Sequence, residues 1–150
     1  MHHITKSLSL KTDVEKIFAF HLNPKNLRLI LPRYPLIKII SISHSPLQKE
    51  SEIKIKLNVL PFVGVNWVIV IESIIENKLI VDIQKKGPFK YWKHKHKFEN
   101  LFDGTTIMTD EIAFEIGFGI IGKILSPIIK SQIEKMFESR HNKMELLFGG

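Results

Sequence analysis

The chain has no cysteine. Disulfides, thiolate metal sites and thiol nucleophiles are therefore excluded outright. It also lacks the roughly 20 consecutive apolar residues that a membrane-spanning helix needs. The greasiest run, residues 117–129, is broken by Lys123 and Pro127. Residues 1–30 carry no signal-peptide pattern, because Asp13 and Glu15 interrupt them and no apolar core follows. There is no Walker loop, no dinucleotide-binding glycine pattern and no Gly-x-Ser-x-Gly elbow, so nucleotide-dependent and α/β-hydrolase chemistry have no support. Internal repeats and low-complexity linkers are absent too. The expectation is one soluble, cytoplasmic domain over residues 1–150 that uses no cofactor.

What is present is an ordinary globular composition, 44% hydrophobic and 25% charged over 150 residues. That length buries roughly two-thirds of the unfolded surface. The net charge of +7 raises the question of an anionic partner. Lys85, Lys86, Lys90, Lys93, Lys95 and Lys97 cluster in one stretch. They read either as a solvated sheet face or as a patch for peripheral contact with an anionic membrane. Nucleic-acid binding is the rival reading, since Lys90-Tyr91-Trp92-Lys93 interleaves charge with aromatics. Alternation puts Trp92 on the face away from the lysines, so no nucleic-acid partner is expected.

That stretch, Leu79 to Phe98, organises the chain. It reads as a β-hairpin bent at Gly87-Pro88-Phe89. Strand side chains alternate between faces. Lys93, Lys95 and Lys97 therefore share one face, and Trp92, His94, His96 and Phe98 share the other, which suits the wall of a buried cavity. With the bend at Pro88, Asp82 falls opposite His94. A following turn centred near Phe102 would bring Asp110 opposite His94 from the other side.

Elsewhere the pattern gives a first strand over His3–Leu10, then Thr12-Asp13-Val14-Glu15 as a capping box opening a helix through Val14, Ile17, Phe18 and Leu22. Asn23-Pro24 ends that helix, and a second short one spans Pro24 to Leu31. Strands follow at Leu36–His44, around Ile53–Val59, at Val65–Ile75, in the hairpin, and at Thr105–Ile116. Residues 60–64 form a turn. From Gly119 the period becomes helical, with Ile121, Leu125, Ile128, Ile129, Ile133, Met136, Phe137, Met144, Leu147 and Phe148 in one stripe. Pro127 predicts a kink or a fresh helix start. An amphipathic helix this long needs a large apolar surface, and the concave side of a curved antiparallel sheet is the candidate.

One strand, two short helices, six strands and a long C-terminal helix is the order of the START-like, helix-grip proteins (the SRPBCC superfamily). The wording Asp82-x-Gln84-x-x-Gly87-Pro88-Phe89-x-x-Trp92-x-His94-x-His96-x-Phe98 resembles the polyketide cyclase/dehydrase-like group within it, as do Gly104-Thr105, Asp110, Phe118-Gly119 and Arg140. Gly117 and Ile83 depart from that pattern, where proline and an acidic residue are expected. The resemblance implies an α+β helix-grip fold, a curved seven-stranded antiparallel sheet wrapped around the C-terminal helix, with two short helices between strands 1 and 2. It also implies an apolar cavity for a lipid, quinone, polyketide or similar molecule. Fold membership alone does not settle function.

The expected function is binding, for carriage or sensing, of a hydrophobic small molecule. Trp67, Asp82, Gln84, Trp92, His94, His96, Asp110 and Phe114 are the expected lining. The alternative is a cyclase or dehydratase in which His94 or His96 moves a proton, with Asp82 or Asp110 setting its tautomer. His94, His96 and Asp110 are then the catalytic candidates. The plainest reading of the same residues is a satisfied buried network, since buried carboxylates and imidazoles need partners. His-x-His also suits a metal, but no third ligand is fixed by sequence, and none is expected. Trp67 and Trp92 serve equally well as core, and Arg140 reads as a salt-bridge partner. The chain is expected to be a monomer, or a homodimer through Val68, Val70, Val81 and Ile83 on the convex face.

Overall fold

A computed structural model describes residues 1–33, 35–60 and 63–149. The elements in chain order are β1 (His2–Leu10), α1 (Val14–Leu22), α2 (Pro24–Ile30), β2 (Leu36–Ile42), β3 (Glu52–Leu60), β4 (Val63–Ile75), β5 (Leu79–Lys86), β6 (Phe89–Leu101), β7 (Thr105–Ile116) and α3 (Gly119–Phe148). The strands form one antiparallel sheet in the order β1-β7-β6-β5-β4-β3-β2. From β2 to β7 the chain runs as a meander. β1 stands at the far edge from β2, so α1 and α2 must carry the chain across the sheet. Two short helices do this because Asn23-Pro24 breaks the helix: Asn23 Oδ1 accepts the Lys25 amide at 3.1 Å and Pro24 occupies the first turn of α2.

α3 lies over the concave face. Phe137 and Met144 are fully buried there against sheet residues that include Met108, Ile112 and Phe114. Burying a side chain of that size contributes about 1.5–3 kcal/mol, so this half of α3 closes the core.

The structure departs from sequence expectation in several places. No capping box forms: Asp13 is the N-cap and makes no side-chain cap bond. Thr12 is held by the sheet instead, its carbonyl accepting the Thr106 hydroxyl at 2.8 Å. Pro127 starts no new helix; it lies inside α3, in an exposed stretch where the missing amide bond leaves no buried group unpaired. Pro61 and Phe62, within the predicted 60–64 turn, lie outside the described residues.

The apolar stripe of α3 also divides. Ile133, Met136, Phe137 and Met144 are buried, but Ile121, Leu125, Ile128 and Leu147 are exposed, along with Phe118, Ile120 and Ile124. The first half of the helix covers a cavity lined by Ile121, Gly122, Leu125 and Ile129 and is tied to the sheet edge by Ser126, whose Oγ lies 2.7 Å from His2 Nε2 on β1. The convex strip is less open than alternation suggests. Val81 is buried, and Val68, Val70 and Ile83 are half-buried. Lys93 and Lys95, the cross-strand partners of Ile83 and Val81, flank the strip with aliphatic stems.

The lysine face is not a bare cationic patch. Lys90 pairs with Glu115 at 2.6 Å, Lys93 with Glu72 at 2.6 Å and Lys97 with Glu111 at 2.5 Å, and Lys85 pairs with Glu52. Glutamates on β3, β4 and β7 meet four of the hairpin lysines.

Candidate functional site

The site is built on β5, β6 and β7. Asp82 stands directly opposite His94 across the β5–β6 hairpin, as the Pro88 bend requires. The next register differs from expectation. Asp110 is the Cα partner of His96, and His94 is opposite Ile112. The turn after β6 pairs Leu101 with Thr105 and so centres on Asp103, one residue beyond Phe102. Moving a hairpin centre by one residue moves every cross-strand partner by two, which keeps the face and changes the opposite number. Asp110 still reaches His94, because diagonal neighbours on one face lie within side-chain range.

The outcome is a closed cluster. Asp110 Oδ1 lies 2.7 Å from His94 Nε2 and 3.1 Å from His96 Nδ1, and its Oδ2 lies 2.6 Å from His141 Nε2 on α3. Asp82 Oδ2 lies 3.0 Å from His96 Nε2 and 3.3 Å from His94 Nδ1. Its Oδ1 accepts the Trp92 indole N–H at 3.4 Å. All of these residues are buried. Burial alone would raise both carboxyl groups. For Asp82 the charge and hydrogen bonds of His94 and His96 outweigh it; for Asp110 hydrogen bonds with His141, His94 and His96 and the charge of His94 do. Both carboxyls are held well below the ordinary carboxylate range. Burial likewise pushes His94 down, but Asp82 and Asp110 overcome it and hold the imidazole above its ordinary value.

The cluster forms one wall of a cavity of about 110 Å³, lined on its other sides by residues such as Leu27, Ile30, Ile55, Ile71 and Phe137. Asp82, His94 and His96 face this space; Asp110 and His141 stand behind them. A second, more apolar cavity of about 220 Å³ lies under the first half of α3. Trp67, Trp92 and Met136 line both and form the partition between them. The two indoles meet edge to face, with centroids 4.8 Å apart and planes at 87°.

Of the residues expected in the lining, Trp67, Asp82, Trp92, His94 and His96 are there. Gln84, Asp110 and Phe114 are not. The Gln84 amide brackets the hairpin bend, donating to the Phe89 carbonyl at 2.7 Å and accepting the Phe89 amide at 3.2 Å. Phe114 is fully buried in the aromatic core with Phe89, Trp92 and His2. Arg140 faces the cavity with its guanidinium 5.3 Å above the Phe137 ring, a cation–π arrangement in place of the expected salt bridge.

Sequence reasoning missed His141 and His21. His141 follows Phe137 by four positions and precedes Met144 by three, so it lies on the buried stripe of α3. His21 stands in the same relation to Ile17 and Phe18 on α1. A histidine at helical spacing from core residues was the available signal. His21 Nδ1 donates to the Ile17 carbonyl at 2.9 Å, and its buried Nε2 has no partner among the described residues. Burial, reinforced by repulsion from His96, pushes its pKa down to about 3. The buried Trp67 indole N–H likewise has no partner among the described residues. As for metal-ligating groups, Asp82, His94 and His96 can offer one atom each, all within 4.8 Å of one another.

Neither a protein-family model nor a curated protein matches the chain. Solved structures do. A protein from Thermus thermophilus superposes with a TM-score of 0.75 at 14% identity, over 96% of this chain and 94% of its own. A START superfamily protein from Mycobacterium smegmatis gives 0.71 at 12% identity, over 98% and 99%. The chain has the START-like, helix-grip fold. The Zhui aromatase/cyclase from a Streptomyces species shares that fold, with a TM-score of 0.71 at 11% identity over 95% of this chain and 90% of its own. No described helix is long and apolar enough to cross a membrane.

Proposed function

We propose that this START-like domain binds a hydrophobic small molecule between the sheet and α3, for carriage or for sensing. The observation that carries the reading is that buried polar atoms at the wall of this space are left without partners among the described residues. Trp67 offers a donor and His21 an acceptor, both buried and both at the cavity wall. Leaving such groups unpaired costs about 1–3 kcal/mol each, and a bound molecule with a carbonyl and a hydroxyl group recovers that cost. The apolar space under α3 then takes its hydrocarbon part. A quinone, a polyketide or an oxygenated lipid has this chemistry. Mass spectrometry of an organic extract from the protein purified out of its own host tests it. A stoichiometric oxygenated hydrophobe is expected; an empty extract, with no binding of quinones or fatty acids in vitro, overturns it.

A second reading is supported by one feature. His94 and His96 face the cavity while carboxylate oxygens lie close to both nitrogens of each ring, so each imidazole is oriented. That arrangement suits proton transfer in a cyclase or dehydratase, as does the fold shared with an aromatase/cyclase. Turnover of a poly-β-ketone substrate that is lost in His94→Gln and His96→Gln distinguishes catalysis from carriage.

A further inference from the structure

We propose that Asp82, His94 and His96 form a binding site for one divalent first-row transition-metal ion, open to the cavity. Hydrogen-bond accounting in the cluster leads there. The two central imidazoles make four close approaches to carboxylate oxygens, at 2.7, 3.0, 3.1 and 3.3 Å. A neutral imidazole carries one N–H. Two neutral rings satisfy two of the four approaches; protonating His94 meets both of its own, but a neutral His96 still sets one nitrogen lone pair against a carboxylate oxygen. Consistent with this, His96 Nδ1 has no well-aligned partner among the described residues.

A cation removes the conflict. With Asp82 Oδ2, His94 Nδ1 and His96 Nε2 as ligands, each ring keeps one N–H. His94 Nε2–H then donates to Asp110 Oδ1 at 2.7 Å, and His96 Nδ1–H lies 3.1 Å from the same oxygen. Asp110 is held in turn by His141 through its other oxygen. A carboxylate that accepts the free N–H of metal-bound imidazoles is the usual support of such sites. Trp92 occupies Asp82 Oδ1 and leaves Oδ2 free.

The spacing fits as well. Metal–nitrogen and metal–oxygen bonds of about 2.0–2.2 Å place neighbouring ligand atoms about 3.0–3.5 Å apart. Asp82 Oδ2 is already 3.0 Å and 3.3 Å from the two ligand nitrogens. The donor set is two imidazoles and one carboxylate without sulfur, which selects Fe²⁺, Co²⁺, Zn²⁺ and similar ions over soft Cu⁺. All three ligands face the cavity and Asp110 does not, so the open coordination positions point at whatever the cavity holds. An oxygen-bearing ligand could complete the coordination, but the metal site requires no such ligand.

The test uses the whole chain stripped with chelator and dialysed. Calorimetric titration with ZnCl₂, and visible spectroscopy with CoCl₂, should each give one ion per chain, the cobalt bands reporting nitrogen and oxygen donors. Asp82→Asn and His96→Ala should each weaken binding at least about 100-fold, and Asp110→Asn by about 10–100-fold. His3→Ala and His44→Ala, which alter histidines outside the cluster, should leave it unchanged. No binding by the wild-type chain overturns the proposal, as does binding that survives in folded Asp82→Asn. If the variants do not fold, NMR of the wild-type decides. Cobalt must shift the His94 and His96 ring resonances; shifts confined to His3 or His44 overturn the proposal.

Discussion

Asp110 Oδ1 and His94 Nε2 lie 2.7 Å apart, although their backbones are not partners in the sheet. The bond runs diagonally from β7 to β6, and it leaves Asp110 behind the cavity wall while His94 faces the space. The two residues of one pair thus have different duties.

Substitution should separate those duties. Asp110→Ala removes a buried carboxylate shared by three imidazoles, His94, His96 and His141, and is expected to destabilise the fold by about 3–5 kcal/mol. Urea unfolding followed by far-UV circular dichroism measures this. His94→Ala should lower stability less and ligand affinity more, because His94 also faces the cavity. Equal stability losses with unaltered ligand binding would assign both residues to structure alone.

The two histidines with displaced pKa values predict opposite pH dependences in the metal-free protein. His94 is held above its ordinary value of 6.5. Its contribution to stability is fully present below 6.5 and is lost as the pH rises through the higher folded value. His21 is pushed down to about 3, so it destabilises the fold as the pH falls from 6.5 towards 3, where the unfolded chain takes up a proton that the folded chain refuses. Asp82 and Asp110 add a further loss at still lower pH. Urea midpoints between pH 4 and 9 should show both slopes. His21→Phe should flatten the acidic side and His94→Gln the alkaline side.

Gly122 reverses a general rule. Alanine in place of glycine within a helix ordinarily stabilises by about 1 kcal/mol. Here an added Cβ would run into the carbonyl oxygen of Gly117, which is backbone and cannot step aside. Gly122→Ala is therefore expected to lower the melting temperature and to loosen the first turns of α3. Melting by circular dichroism checks the sign.

The hairpin lysines predict a negative result. With Lys85, Lys90, Lys93 and Lys97 paired to glutamates, the face offers little free charge to a phosphate backbone. Fluorescence anisotropy with single-stranded oligonucleotides should show no binding at physiological ionic strength. Binding with a steep salt slope would contradict this.

Much of this architecture was legible because its signals are local. Pro88 fixed the β5–β6 bend, and with it the Asp82–His94 pairing. Alternation on β6 put His94 and His96 on the cavity side. The β6–β7 register was not legible, since Phe102 and Asp103 are equally good turn centres by residue type. Gln84 carries the alternation of a lining residue, but the carbonyl and amide of Phe89 lie within its reach and capture it. The exposed start of α3 could not be read from its stripe, because helical periodicity records which residues are apolar and not where the supporting sheet ends.

The strand order has a consequence in time. β1 has one neighbour, β7, and pairs His2 with Phe114 and Leu10 with Thr106. At synthesis rates of about 5–20 residues per second, roughly 100 intervening residues take about 5–20 s to appear. For that interval the first strand is a hydrogen-bonding edge without its partner, and the half of α3 that closes the core is made later still. Newborn chains of this protein therefore pass through a stage with an open sheet edge and an uncovered concave face, when a passing chaperone has most to hold.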